Sequence, residues 1–392
     1  MPSKTVSLQK STLRGRVCAL LQPSQVEFKV NNFDLLRILA ALQVVLVHSI
    51  GHFGLNAPRV AHWLDFFPGV PIFFVISGYL VSASYERQKT VRAYLKNRFL
   101  RIFPGLWVCL LFTMAVVLLL GYRLSRPIDY LWLPAQLIGI IFTPPFLKSF
   151  GFGSYNGSLW TIPVELQFYL LLPILYKLAQ RRNGRKAGLI AAVALFTVIR
   201  FALYFTHPNI GAGSESTLEK MIRYTFVPHF FLFLLGTTLQ NFRIHQSRLI
   251  AGKGPIWLLA YLAAQLLLPP NPWTLVITAL MLGFVVVSAA YTLPSSAETL
   301  LGGEDISYGV YIYHALVINL LLIFRTHHSI ADLGMDVVGA VILGSLSWKF
   351  VEKPFLRKKR KSIGIPVDHE HIKFPLSEVE PVIEVEGSRP SS

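Results

Sequence analysis

The sequence predicts an all-α fold: a polytopic integral membrane bundle of about ten transmembrane helices, with both termini cytoplasmic. Three observations lead there. The first is composition: 53% of the 392 residues are hydrophobic, only 15% are charged, and the mean hydropathy is +0.52. Soluble domains carry about 25% charged residues. The second is a series of apolar runs of spanning length. The third is the alternation of basic and weakly charged loops between those runs.

A hydrocarbon core of ~30 Å needs about 20 mostly apolar residues, with ~17 as the practical minimum. Runs of this kind fall at 34–51, 69–85, 103–121, 162–178, 187–205, 224–240, 254–269, 273–291, 305–324 and 333–351. Inside lipid each must be a helix, because an open strand leaves backbone groups unpaired. Residues 1–32 are polar and basic, with one short apolar patch at Val17–Leu21, and read as a cytoplasmic tail rather than a cleavable signal. Leu131–Phe146 carries Pro134, Pro144 and Pro145 and reads as a short or re-entrant helix. Pro269-Pro270-Asn271-Pro272 makes a tight outer turn. Residues 33–357 form the membrane domain. From 358 a basic stretch gives way to a polar, aperiodic tail, expected to be disordered.

With the N-terminus inside, the inner loops hold Arg87, Lys89, Arg92, Lys96, Arg98 and Arg101, then Lys177, Arg181, Arg182, Arg185 and Lys186, then Arg243, Arg248 and Lys253. Outer loops hold far fewer. An even number of spans satisfies the positive-inside rule, and an error of one span would scramble it. The net charge of +17 therefore reflects topology and contact with membrane lipids, not nucleic acid. Cys18 and Cys109 support neither a disulfide framework nor a metal site.

Ionisable groups within a span cost several kcal/mol, so they usually mark function or a paired partner. Arg37 and His48 are eleven residues apart on the first span, about three turns, and share a face roughly 16 Å apart along the axis. Asp34 lies one turn before Arg37 and can pair with it. Ser158-Leu-Trp160-Thr-Ile-Pro-Val-Glu165-Leu-Gln167 opens the fourth span from the outer side, which brings Glu165 to a depth like that of His48. A carboxylate beside an imidazole can orient it as a general base. The segment Tyr85–Pro104 is densely basic, and such a cluster suits the phosphates of an anionic ligand or lipid headgroups. Tyr308, Tyr311 and His314 recur every third residue and form a polar stripe that faces the bundle interior. A stripe of this kind lines a cavity or ties helices together.

These pieces, in this order, resemble the membrane-bound acyltransferase 3 family, which includes bacterial surface-polysaccharide O-acetyltransferases. The matching residues are Asp34-x-x-Arg37 with His48, Gly69-Val-Pro-Ile-Phe-Phe-Val-Ile-Ser77-Gly78-Tyr79-Leu80, Lys96-Asn-Arg98-Phe-Leu-Arg101-Ile-Phe-Pro104, Ser158-Leu-Trp160 through Glu165, Ser307-Tyr308 through His314, and Glu352-Lys-Pro354-Phe355. Pro71 departs from the acidic residue that many relatives carry there. The resemblance implies ten core helices in the plasma (inner) membrane. It implies an O-acyltransferase that takes an acyl group, acetyl first, from cytoplasmic acyl-CoA to a hydroxyl of an extracytoplasmic sugar or glycolipid. Acyl-CoA is then a co-substrate, and no cofactor is permanently bound. His48, Glu165 and Arg37 become the expected catalytic set, with His48 as base and Glu165 holding its imidazole. Lys96, Arg98 and Arg101 become the donor-binding residues. Ser77, Trp160, Tyr308, Tyr311 and His314 are expected along the substrate channel. The sequence leaves direct transfer and an acyl-His48 intermediate both open. A lipid or solute transporter is the rival reading, although internal repeats and midplane charges, which transporters often show, are missing.

Overall fold

The computed structural model describes residues 28, 30–88, 90–182, 184–211 and 215–362. The N-terminal tail up to residue 27, including Cys18, and the tail beyond 362 lie outside the described residues. The described chain is helical throughout, without a strand. Its principal helices are α1 Phe33–His52, α2 Pro58–Asp65, α3 Gly69–Glu86, α4 Val91–Leu119, α5 Pro127–Leu137, α6 Thr161–Arg182, α7 Arg185–Thr206 and α8 Thr217–Arg223. They continue with α9 Phe230–Asn241, α10 Gly254–Leu267, α11 Pro272–Ala290, α12 Ser296–Leu301, α13 Ser307–Phe324, α14 Ile330–Ser347 and α15 Lys353–Ser362.

Every predicted apolar run contains a helix, but two are short. Eight helical segments of the described chain are long and apolar enough to cross a membrane; the runs at 224–240 and 254–269 give α9, of 12 residues, and α10, of 14. At 1.5 Å per residue these span only about 18 and 21 Å. Pro228 lacks an amide hydrogen, and the chain from Tyr224 to His229 turns rather than coils, so α9 starts late. Pro269 disfavours helical backbone in the residue before it, and α10 stops at Leu267. The opposite happens in α4. Thr90 caps it, its Oγ1 accepting from the Ala93 amide at 3.2 Å, and 29 helical residues follow. The basic stretch expected as a loop is therefore largely the first turns of a long helix, with Pro104 inside it. The segment expected to be re-entrant is α5, starting four residues early, followed by a short 3-10 turn at Pro145–Leu147.

Glycines set the tightest packing. At Gly78 in α3 an added Cβ would run into the Phe233 carbonyl of α9, and at Gly236 into the Val75 carbonyl of α3. Small residues let membrane helices approach closely, where hydrophobic burial gives no drive. α1 packs against both α3 and α13, and α13 against α14, so α1 turns an inner face to the bundle while Leu39 stays exposed on the other. α7 is peripheral: only 6% of its apolar window is buried. This inner face of α1 is what turns Arg37 and His48 toward protein rather than lipid.

Candidate active site

Two polar centres form between α1, α4, α6 and α13. The first gathers between the N-terminal end of α1 and Arg101, about three turns into α4. Asp305, in the turn before α13, is 5% exposed and takes both Arg37 Nη1, at 3.1 Å, and Arg101 Nη2 on its Oδ2. The Ser307 amide donates to its Oδ1 at 3.3 Å. Asp34 accepts from Arg37 at 2.8 Å, the pairing that the sequence spacing suggested. Glu352 approaches Arg101 at 3.8 Å. Burial pushes the Asp305 carboxyl up, but the Arg101 and Arg37 guanidiniums outweigh it and hold the group below its ordinary value.

Arg98 differs from these. Its Nη2 donates to Ser84 Oγ at 3.2 Å, and its guanidinium lies 5.9 Å from the Tyr169 ring centroid. Among the described residues it has no carboxylate partner, and its buried Nε has no hydrogen-bond acceptor. Arg37, Arg98 and Arg101 all border one cavity, together with Ser77, Glu165, Tyr169, Thr161, Tyr308 and Tyr311. Tyr169 donates to Glu165 Oε2 at 3.1 Å, and Ser77 Oγ lies 3.4 Å from the Tyr169 hydroxyl. Tyr308 donates to the Ile102 carbonyl at 3.0 Å, tying α13 to α4.

The second centre lies behind Thr161 and Tyr311, where the cavity lining stops. His48 Nδ1 is 3.0 Å from His314 Nε2. Ser158 Oγ is 3.1 Å from His314 Nε2 and 3.4 Å from His48 Nδ1. The Tyr311 hydroxyl joins the two centres: it donates to the Ser158 carbonyl at 2.7 Å and meets Thr161 Oγ1 at 3.0 Å. Ser158 is placed by the 3-10 turn Gly157–Trp160 that leads into α6. Asn156 accepts the Ser158 amide at 3.1 Å and donates to the Ile312 carbonyl of α13 at 2.6 Å, which fixes this turn beside His314.

Hydrogen-bond bookkeeping assigns the tautomers. His314 Nδ1 is 2.8 Å from the Tyr311 carbonyl, which can only accept, so this nitrogen carries the proton. In a neutral ring its Nε2 is then an acceptor. His48 Nδ1 must therefore donate to it, and the lone pair of His48 is left on Nε2. The fold thus presents a basic imidazole nitrogen whose orientation is fixed by a second imidazole and a backbone carbonyl.

This differs from the expected pairing. No hydrogen bond joins Glu165 to His48 among the described residues; Glu165 faces the cationic cavity. Seven residues separate it from Ser158, about 10 Å of helix, so the two lie at different depths. Arg37, Arg98, Arg101, Ser77, Tyr308 and Tyr311 reach the cavity, whereas His48 and His314 form the adjoining centre. Trp160 borders neither: its ring packs 5.1 Å from His229 and under Arg223 at 5.3 Å. Lys96 is exposed, because two residues of helix turn it some 200° away from Arg98. Asp305 and Ser158 carry geometry to which the sequence reading assigned no role. Their signals were an acid at a span boundary and a serine at the head of the Trp160–Glu165 motif.

The acyltransferase 3 family model, described as an acyltransferase domain, matches residues 30–348. Nodulation protein 10 of Rhizobium leguminosarum bv. viciae is 32% identical over 365 residues, covering 85% of this chain and 95% of that one. The O-acetyl transferase of Shigella phage Sf6 is 26% identical, over 86% of this chain and 99% of its own. The peptidoglycan O-acetyltransferase OatA of Listeria monocytogenes is 28% identical over 37% of this chain and 24% of its own length. No solved structure matches at a significant level. The chain therefore belongs to the acyltransferase 3 family: it is a multi-pass membrane acyltransferase related to O-acetyltransferases.

Proposed function

We propose that the protein moves an acetyl group from cytoplasmic acyl-CoA to a hydroxyl of a sugar or glycolipid on the outer side of the plasma (inner) membrane. The His48–His314–Tyr311 relay carries this reading, because it leaves His48 Nε2 unprotonated and aimed by a fixed partner. Such a nitrogen takes the proton of an acceptor hydroxyl as that oxygen attacks the acyl carbon. The names of the relatives, a phage O-acetyl transferase and a peptidoglycan O-acetyltransferase, support a carbohydrate hydroxyl as acceptor. The basic inner loops support entry of the donor from the cytoplasm.

The donor's phosphates fall to Arg98. Of the two arginines expected to bind them, Arg101 is engaged by Asp305 and Glu352, whereas Arg98 keeps a guanidinium without a carboxylate partner at the cavity. Arg37 and Arg101, crossed by Asp305, fix the cavity wall beside it. Purified protein in detergent, given acetyl-CoA and an oligosaccharide acceptor, should transfer acetyl groups. His48→Ala should lower the rate roughly 10²–10⁴-fold while the protein still inserts and purifies. Wild-type activity in that variant would remove the base from the scheme.

A further inference from the structure

We infer that Ser158 is a covalent way-station: the acyl group passes through an ester on Ser158 Oγ between donor and acceptor. This rests on the acyl-transfer reading above but goes beyond it, since that reading names only a base. The observation is the position of one hydroxyl. Ser158 is 1% exposed, and its Oγ hydrogen bonds go to two imidazole nitrogens, His314 Nε2 at 3.1 Å and His48 Nδ1 at 3.4 Å. His314 Nε2 is the acceptor of that set, and the Tyr311 carbonyl holds its ring in place. A hydroxyl within reach of a base that a third group orients is the arrangement that activates a nucleophile.

Its place in the bundle gives the ester a purpose. The cavity that would receive the thioester ends at Thr161 and Tyr311, and the Tyr311 hydroxyl is bonded to the Ser158 carbonyl. His48 Nδ1 lies 3.4 Å from the same Ser158 oxygen, so one hydroxyl is within reach of both imidazoles. The donor need not meet the acceptor, because each in turn reacts at that oxygen. Burial also keeps water from the ester.

The steps balance. As the His48 Nδ1–H turns from His314 Nε2 to Ser158 Oγ, 3.4 Å away, the serine gives its proton to His314 Nε2 and attacks the thioester carbonyl; the carbon–sulfur bond breaks, and the coenzyme A thiolate leaves with the proton from His314. In the second step the acceptor hydroxyl gives its proton to His48 Nε2 and attacks the ester carbonyl. The bond from that carbon to Ser158 Oγ breaks, and Ser158 regains a proton from His48 Nδ1. Exchange with water restores the starting tautomer of His48.

The test is to incubate the purified full chain in detergent with radiolabelled acetyl-CoA and no acceptor. Coenzyme A should be released in a burst of one per chain. The label should stay on the peptide containing Ser158, resistant to neutral hydroxylamine as an oxygen ester is. Ser158→Ala should lose both label and transfer. Ser158→Cys, the control for folding, should take up label as a thioester that neutral hydroxylamine strips. Label that persists in Ser158→Ala, or moves to His48, overturns the assignment, as does wild-type transfer by Ser158→Ala. A wild-type chain labelled at Ser158 that serves no sugar acceptor leaves the assignment standing and counts against the proposed acceptor instead.

Discussion

Asp305 holds two guanidiniums with one oxygen, and replacing it by Asn tests how much of the cationic centre depends on that. Its folded value lies below the ordinary 3.8, so its stabilising contribution is present above that pH and is lost as acid takes the group through its lower folded value. The wild-type melting temperature should therefore fall on acidification below about pH 4, and Asp305→Asn should flatten that limb while lowering stability at neutral pH. A parallel pH profile for both proteins would remove Asp305 as its source. The neighbouring arginines should separate cleanly. Arg98→Ala should raise the KM for acetyl-CoA roughly tenfold to a hundredfold, the value of ~1.5–3 kcal/mol for a hydrogen bond to a charged group, with little change in melting. Arg101→Ala leaves Glu352 without its cationic partner and Asp305 with Arg37 alone, and should instead destabilise by about 3–5 kcal/mol. An unchanged KM in Arg98→Ala would return that residue to a topological role. At this scale the sequence revealed which residues matter better than which ones touch. Arg37, His48 and His314 stood out because charge and imidazole do not belong in lipid. The partner of His48 did not, because depth inferred from span ends carries an error of a turn or more, enough to exchange Ser158 for Glu165.

Helix pairs in this molecule are held by what is missing from their surfaces. An added Cβ at Gly309 of α13 would come within 2.6 Å of the Gly344 Cα of α14, and α3 and α9 meet through Gly78 and Gly236. Gly78→Ala should force α3 from α9 at a cost of about 1–3 kcal/mol, read as a lower melting temperature in detergent. Because α3 carries Ser77 and Ser84 to the cavity and to Arg98, activity should fall with it; unchanged melting would show that the contact relaxes freely. Apolar length announced where the helices lie, but not that Pro228 delays the start of α9 or that Pro269 cuts α10 short. The 29 residues of α4 were less legible: six basic residues look like a loop, yet a single Thr90 cap carries four of them, Arg92, Lys96, Arg98 and Arg101, into helix.

Across the whole molecule, charge asymmetry and ten apolar runs gave an orientation that single-cysteine labelling can check. With Cys18 and Cys109 removed, a cysteine at Asn271 should react with an impermeant maleimide added to intact cells, and one at Arg87 only after lysis. The reverse pattern would invert the bundle and with it the side from which the donor enters. The bundle itself was legible because lipid permits so few backbone solutions. The two adjoining polar centres were not, since they depend on how four helices cross, and no periodicity within one helix encodes that.

Between α14 and α15 the helix widens into a π turn, Trp348–Glu352, where one residue too many is wound into the coil. Such turns often mark functional positions. Here the surplus aims Glu352 inward at Arg101, while Trp348 and Lys353 both donate to Glu304. Deleting Val351 would let the coil relax to ordinary pitch with the register of α15 kept, and would remove the local widening that aims Glu352 at Arg101 without altering one polar residue.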